Sequence, residues 1–470
     1  MFVSSSLLVL LSGIAAPSLA ETVHGVLVLT RHGDRTSKHY GRQALTSLGF
    51  EQNFQVGNSY RSRYLFSTSP QRIFNISEDK YVPAQIYASA PDQSILINTA
   101  TAFLQGFYPP LGSISPQLAT QTLNNGTATE NPLNGYQYVF LHGADANSPD
   151  TIWLKGDDAC PALTNASESF ENSVEFQAKL ESTKAFYAGF WDFLKGVYDY
   201  TPQKMTYAKA FDIFDLINVA NIHNSSIPRN LTSEELFQLR TLADSAEFAY
   251  NFNASQPARS IGGKTLTGAI LSQLNQTVTT KGKLKFSLLA GSYDSFLAFF
   301  GLSNLISVNT NFYGLPDYAS TMAFELFTHE NTTAFPSDIN ALSVRFLFRN
   351  GSTGSLDTFP LFGRSENTTP WSEFVMQMKS RAITTAEQWC QTCNSPNEFC
   401  APYTTAPTSV AGKSKGGVSN AVAGVIGAMV MLSVVAICGA LAFVLLWRRK
   451  KEAAVVAEEK ASIASGGASA

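Results

Sequence analysis

Near each end of this 470-residue chain an apolar segment lacks charge altogether, residues 1–20 and residues 421–447. The second covers 27 positions, more than the ~20 residues an α-helix needs to cross a hydrocarbon core. Arg448-Arg449-Lys450-Lys451 follows at once, the basic flank expected on the cytosolic side of a membrane span. A lipid-anchor signal would end in the apolar stretch, whereas here a polar tail, residues 448–470, comes after it. Residues 1–20 hold an apolar run at 7–11 and end in Ser18-Leu19-Ala20, which is expected to be a secretory signal peptide and its cleavage site. Together these segments predict a single-pass type I membrane protein with residues 21–420 on the luminal or extracellular side, at the cell surface or a vacuole-like membrane.

Charge of one sign is also lacking. The formal net charge is −3, and the tail after Trp447 carries five basic and three acidic residues, which leaves about −5 on the rest. That balance excludes a general nucleic-acid binder. Cysteine is scarce, with five in all. Cys438 falls inside the predicted span as a small apolar residue. Cys160, Cys390, Cys393 and Cys400 are an even set in an oxidising compartment, which predicts two disulfides with three pairings open. Neither a His nor a second Cys-x-x-Cys accompanies Cys390-x-x-Cys393, and His329-Glu330 has no further His at zinc-site spacing, so neither a metal nor a cofactor is called for.

What remains is globular in composition, with 44% hydrophobic and 15% charged residues, enough for a sizeable core. Ten Asn-x-Ser/Thr sequons, at Asn75, Asn125, Asn165, Asn224, Asn230, Asn253, Asn275, Asn331, Asn350 and Asn367, all fall on the predicted luminal side and are candidate glycosylation sites.

The apolar, β-branched run at 23–30 predicts a buried strand, followed by a charged loop at 31–35 and a helix from Thr46 to about Tyr64. Residues 85–88 predict a short strand and 98–106 a helix. Helical stretches such as 168–198 and 233–252 fill the middle of the chain. Residues 284–289 again predict a strand, followed by a loop at 290–295 and a helix at 296–300, and 322–327 and 343–349 alternate like antiparallel strands. The expected fold class is therefore α/β, in two blocks at about 21–125 and 280–400, around a mainly helical insertion at about 126–280. A Thr/Pro/Ser/Gly-rich stalk is expected at 401–420.

The chemistry-bearing segment is Arg31-His32-Gly33-Asp34-Arg35, directly after the first strand. Two guanidiniums four residues apart on one loop suit a phosphate monoester, which carries about two negative charges. Gly33 permits close backbone approach. An imidazole between the guanidiniums can attack phosphorus and form a phosphohistidine.

This loop matches the Arg-His-Gly-x-Arg signature of the histidine acid phosphatases, in the histidine phosphatase superfamily that also holds phytases. Residues 45–52, 57–61, Ala102-Phe103-Leu104-Gln105-Gly106-Phe107-Tyr108-Pro109-Pro110 and Leu315-Pro316-Asp317-Tyr318-Ala319-Ser320 resemble further family stretches in the same order, so the likeness runs from about Val23 to Cys400. The flavour is of fungal secreted or surface members. The resemblance implies an α/β core sheet flanked by helices, with a smaller helical cap. It also implies His32 as nucleophile, Arg31 and Arg35 as phosphate ligands, and a late His-Asp pair in which His binds phosphate and Asp protonates the leaving oxygen. Here the pair reads Tyr293-Asp294, so Asp294 is the expected acid and Tyr293 takes the phosphate-binding place. A third Arg is implied eight residues before Phe103, where this chain has Ile95, and the motif's trailing Pro is Ser37. Lys38, Arg42, Arg61 and Arg63 are nearby cations that could compensate. His142 reads as a structural or exposed histidine.

Two functions of different class follow. One is a phosphomonoesterase of altered activity acting on a small phosphomonoester. The other is an inactive surface glycoprotein that binds an anionic ligand. A phytase reading ranks lower, because phytate wants a strongly basic pocket. A mutase-like intracellular role conflicts with the secretory topology.

Overall fold

The computed structural model describes residues 21–227 and 229–404. The predicted signal peptide, most of the stalk, the membrane span and the tail lie outside the described residues. Residues 401–404, where the stalk is expected to begin, form a single helical turn, Ala401–Thr404. No helix among the described residues is long and apolar enough to cross a membrane.

The apolar run near the start forms strand β1, Thr22–Arg31, with all ten residues buried. A strand with no polar face must be covered on both sides, and β1 lies inside a sheet of eight strands. The others are β2 (Ile86–Pro91), β5 (His142–Ala144), β6 (Phe286–Gly291), β7 (Thr321–Thr328), β8 (Leu342–Arg349), β9 (Asp357–Phe359) and β10 (Thr368–Pro370). Strands β3 (Thr120–Thr122) and β4 (Ala128–Glu130) form a separate exposed ribbon. The sheet order is β10-β8-β7-β1-β6-β2-β5, with β9 paired to β8. Strand β1 runs parallel to β6 and antiparallel to β7, and β2 runs parallel to both β6 and β5. The carboxyl ends of β1, β6, β2 and β5 therefore share one edge with the start of β7, the place where parallel sheets present ligands.

Helices cover both faces. On one, α1 (Ser47–Tyr64) and α2 (Ser94–Phe107) pack over Val26, Val28, Ala88 and Leu288. Thr46 caps α1, its hydroxyl accepting from Gly49 N at 3.1 Å. Between β5 and β6 run α3 (Ile152–Lys155), α4 (Pro161–Glu171), α5 (Val174–Ala188), α6 (Ala210–His223), α7 (Ser233–Asn251) and α8 (Ile261–Thr279). After β6 come α9 (Tyr293–Leu302), α10 (Trp371–Lys379) and α11 (Ala386–Cys393). Helix α8 packs on β1 and α10, so the last helix of the expected insertion belongs to the sheet's second layer. Helices α4–α7 carry the insertion itself. Its aromatic core of Phe170, Phe176, Tyr187 and Tyr207 is continuous with the sheet face at Leu27, Leu29 and Leu289.

Two expectations about elements need correction. The helix expected over 168–198 is interrupted after Glu171, because Ser173 caps a new helix by accepting from Phe176 N at 3.2 Å. The loop expected at 290–295 is mostly regular structure: β6 continues to Gly291 and α9 starts at Tyr293. An apolar β6 and an apolar α9 separated by one residue leave no polar loop signature of their own.

The cysteine pairings are Cys160–Cys393 and Cys390–Cys400. The two members of Cys390-x-x-Cys393 thus point to different partners, and the first bridge ties the start of α4 to α11. Peptide mapping of the unreduced protein is expected to recover 160–393 and 390–400 linked peptides. A 390–393 bridge would contradict this arrangement.

Candidate active site

The loop after β1 is held by its backbone. Arg31 N donates to Ser320 O at 2.9 Å and Ala319 N to His32 O at 3.0 Å. Gly33 N donates to Asn53 Oδ1 and Asp34 N to Gln52 Oε1, both at 2.7 Å. Asn53 Nδ2 closes the circuit on Arg31 O at 3.1 Å. A Cβ on Gly33 would lie 2.3 Å from Gly49 O, and one on Gly49 2.0 Å from Asp34 O. The close approach that Gly33 permits is therefore to α1, which crosses directly beneath the loop.

The imidazole of His32 is only 3% exposed. Its Nδ1 lies 2.9 Å from Gly33 O. A carbonyl only accepts, so Nδ1 carries the hydrogen and Nε2 keeps its lone pair. Burial, and then the charges of Arg31 and Arg35, hold the imidazole well below its ordinary pKa, so it stays neutral in acid. Arg31 donates to Pro316 O. Its guanidinium stands 4.9 Å from the ring of Tyr318 and 5.3 Å from that of Tyr293, within cation–π range of both. Burial brings its pKa down to about 10, so it remains charged. Arg35 pairs with Asp215 at 3.0 Å. The Nε groups of both arginines are buried and lack any hydrogen-bond partner. Such orphaned donors are costly, and an anion is the kind of partner they suit.

Helix α6 reaches down from the insertion to fix this loop. Besides Arg35, Asp215 accepts from Ser37 Oγ and Lys38 N, both at 2.8 Å. About two turns later His223 Nε2 meets Asp34 Oδ2 at 2.6 Å, and Thr46 Oγ1 donates to the same oxygen. Ser37, where the family has Pro, thus supplies a hydroxyl to the Asp215 clamp.

The parallel register pairs Arg31 with Gly291, which brings Tyr293 and Asp294 to the same edge as the loop. Tyr293 is buried, packs on Phe211 at 4.8 Å and lies near enough to Glu247 that each raises or lowers the other's pKa. The hydroxyl expected to face phosphate thus has Glu247 as a neighbour, while the ring supports Arg31. Asp294 Oδ1 accepts from Ser295 N at 2.9 Å, and Oδ2 lies 3.7 Å from Lys155 Nζ. Burial alone would raise this carboxyl, but Lys155 and Lys38 outweigh it and the net shift is downward. Ile95, in the first turn of α2, is buried in the apolar core and offers no donor.

Among the four cations expected to compensate, Lys38 lies at the site, its Nζ 5.5 Å from the Tyr293 ring centroid. Arg61 is committed to Asp79 at 2.8 Å and Arg63 to Glu325 at 2.8 Å, and Arg42 is exposed. His142 is exposed on the edge strand, stacked on Tyr87 at 5.0 Å. Sequence reasoning missed Asp215, Tyr318 and Glu247. Asp215 had a signal, as an acid inside the apolar run Phe211–Ile217. Tyr318 had none beyond its place in a family-like stretch. A cavity of about 700 Å³ opens beside Tyr293 and Asp294, lined also by Lys38, Glu247 and the tyrosines 200, 207 and 250.

The comparisons agree with this geometry. The chain is 24% identical to mouse prostatic acid phosphatase over 338 residues, 69% of this chain and 80% of that protein. It is 25% identical to Xenopus laevis lysosomal acid phosphatase over 363 residues, 74% of each. The apo form of Hafnia alvei phytase superposes with a TM-score of 0.52 at 12% identity, covering 79% of this chain and 99% of that one, which shows a shared fold. The family model for the histidine phosphatase superfamily (branch 2) matches residues 39–349. That match begins beyond Arg35, so the rest of the chain and the Arg31–Arg35 loop point independently to one conclusion: the protein belongs to the histidine phosphatase superfamily, branch 2.

Proposed function

We propose that the protein is a membrane-anchored acid phosphatase-type hydrolase of small phosphomonoesters that works through a phosphohistidine on His32. The observation that carries this reading is a buried neutral imidazole with a free Nε2 lone pair, set between two guanidiniums with unpartnered Nε donors. Arg31 and Arg35 bind the phosphoryl oxygens and stabilise charge as the P–O bond breaks. Nε2 of His32 takes the phosphoryl group, and Asp294 protonates the leaving oxygen. Water then attacks phosphorus with Asp294 as base, the P–N bond breaks and phosphate leaves. A histidine held neutral in acid keeps its nucleophilic form where an ordinary one would be protonated.

Activity is altered by two replacements. Ile95 removes a donor, and Tyr293 puts a phenol beside Glu247 where the family has an imidazole. One preorganised donor is worth on the order of 10²–10³ in rate, about 3–4 kcal/mol. Lys38 returns one positive charge to the pocket. The cavity also carries Asp157, Asp199, Asp212, Glu247 and Asp294 against Lys38, Lys204 and Lys209. That balance suits a single phosphate group better than a polyphosphate such as phytate.

The membrane anchor rests on residues 421–451. A luminal catalytic domain is supported by the two disulfides and by the sequons, of which Asn253 is half-buried and the other nine are exposed, so sugar attaches without disturbing the core.

The purified protein is expected to hydrolyse a generic phosphomonoester at pH 4–6, and His32→Ala to abolish this. A parent that binds inorganic phosphate but never turns over ester would support the inactive anion-binding reading instead. Lys38→Met is expected to weaken inhibition by inorganic phosphate several-fold, since it removes a charged contact worth up to about 1 kcal/mol at an exposed position. Unchanged inhibition would remove Lys38 from the site. Glu247 is pushed up to about 7 by burial, so it is neutral below that pH and adds a negative charge above it. Glu247→Gln is accordingly expected to flatten the neutral-side decline in kcat/KM while leaving the acid side in place, and a profile identical to the parent's would contradict this.

A further inference from the structure

The segment 315–320, just before β7, lies against the phosphate loop at several points. The Arg31 guanidinium donates to Pro316 O, its backbone N donates to Ser320 O, and Ala319 N donates to His32 O. The Tyr318 ring stands 4.9 Å from the Arg31 guanidinium, 5.9 Å from that of Arg35 and 5.7 Å from the His32 ring. The nucleophile and both phosphate ligands of the proposed reaction thus take part of their support from this turn.

The turn itself has to be held. Ala319 has a φ of 60°, a left-handed conformation that a residue with a Cβ avoids and that persists only where neighbours fix it. On one side α7 does so. Arg240 pairs with Asp317 Oδ1 at 3.0 Å and donates to Leu315 O, and Asp244 Oδ1 accepts from Leu315 N at 2.8 Å. On the other side the hold comes from the end of β8. Asn350 Oδ1 accepts from Asp317 N at 2.8 Å and from Ser320 Oγ at 3.1 Å, and its Nδ2 donates to Asp317 Oδ2 at 3.2 Å. Gly351 N adds a bond to Ser320 Oγ at 2.7 Å. The Asp317 carboxylate is therefore bridged between the helical insertion and the sheet.

Asn350 is also one of the sequon asparagines. A sugar takes one of its two amide hydrogens and leaves the other for Asp317, so attachment and clamp are compatible and are separable by substitution.

We infer that Asn350 is a positioning residue for phosphate binding, acting through the 317–320 turn on Arg31, His32 and Tyr318. This rests on the phosphohistidine reaction proposed for the site. The amide suits the task because Asp317 presents a donor, its N–H, and an acceptor, its carboxylate, to one side chain, and an amide answers both. A carboxylate in its place keeps the bonds from Asp317 N and Ser320 Oγ but sets a like charge against Asp317 Oδ2.

The test uses the full chain. It reads kcat/KM for a phosphomonoester from pH 4 to 6.5, and the Kd of inorganic phosphate by calorimetry. Ser352→Ala removes the sequon but not the amide, and is expected to stay within twofold of the parent. It serves as the reference without sugar at Asn350. Asn350→Ala is expected to lower kcat/KM and weaken phosphate binding about tenfold at every pH. Asn350→Asp differs, because the introduced carboxyl donates to Asp317 when protonated and repels it when ionised. Asp317 and Asp244 favour its protonated form, and Arg240 and Arg31 oppose them. This variant is expected to match the reference within threefold at pH 4 and to fall about tenfold below it by pH 6.5, a trend that a merely structural loss would not show. A ratio that stays flat with pH would overturn the inference, because it denies the bond to Asp317. So would a Ser352→Ala loss as large as that of Asn350→Ala, because it assigns the effect to the sugar. Should the Asn350 variants fail to fold, Ser320→Ala removes the hydroxyl between Asn350 and Gly351. It is expected to weaken phosphate binding fivefold or more, and unchanged binding would overturn the inference. A parent that turns over no ester, or turnover that survives His32→Ala, sinks the underlying reaction alone, since phosphate binding still reports on Asn350.

Discussion

The parallel pairing of β1 with β6 is the constraint on which the site depends. It sets Arg31 opposite Gly291, so the residues just beyond each strand emerge side by side at one sheet edge. His32 and Arg35 come from the first strand's loop, and Tyr293 and Asp294 from the second strand's helix, although some 260 residues separate them in sequence. Antiparallel β7 adds Tyr318 to the same edge, through Arg31 N on Ser320 O and Ala319 N on His32 O. A strand buried on both faces has strongly specified register, because a one-residue slip would exchange its two side-chain faces between two different cores. The chemistry is thus placed by backbone pairing and apolar packing, and polar side chains refine it.

The refinement is electrostatic. Two buried guanidiniums and a buried imidazole sit within one loop, and the acid paired with Arg35, Asp215, comes from the helical insertion. Removing one partner of a buried ion pair typically costs about 3–5 kcal/mol, so insertion and core are coupled at the point where the reaction occurs. The same cations make the site useful. Together with burial, the larger effect, they keep His32 neutral in acid, and their Nε groups have no protein partner. Across the cleft the pattern reverses, with Asp157, Asp294 and Glu247 gathered around Lys155 and Lys38. Cations thus gather around His32, and carboxyls around Lys155.

The sequence made the frame legible for physical reasons. The β1 run, the Thr46 cap and the charged loop each depend on local chemistry, and each is found within a residue or two of its expected place. The α/β blocks followed from periodicity. The break at Ser173 was hidden because an N-cap serine inside a helical pattern looks like any other polar surface residue. The β6–α9 junction was hidden because both elements are apolar. In the site, Arg31, His32 and Arg35 were legible as a motif, and Asp294 through the family likeness. Asp215 and Glu247 were not, because their roles come from burial beside a particular partner, which no local pattern encodes. Tyr293 was legible as a replacement, but its neighbour Glu247 was not.

The most direct measurement of the central claim is the regiochemistry of the trapped phosphoenzyme. The protein is mixed rapidly with a phosphomonoester, quenched in alkali, where phosphohistidine survives, and digested for mass spectrometry and phosphorus NMR. Because Gly33 O occupies Nδ1–H, the account predicts phosphate on Nε2 of His32 and on no other residue. Steady turnover with no phosphohistidine, or phosphate on Nδ1 or on a different side chain, would contradict it.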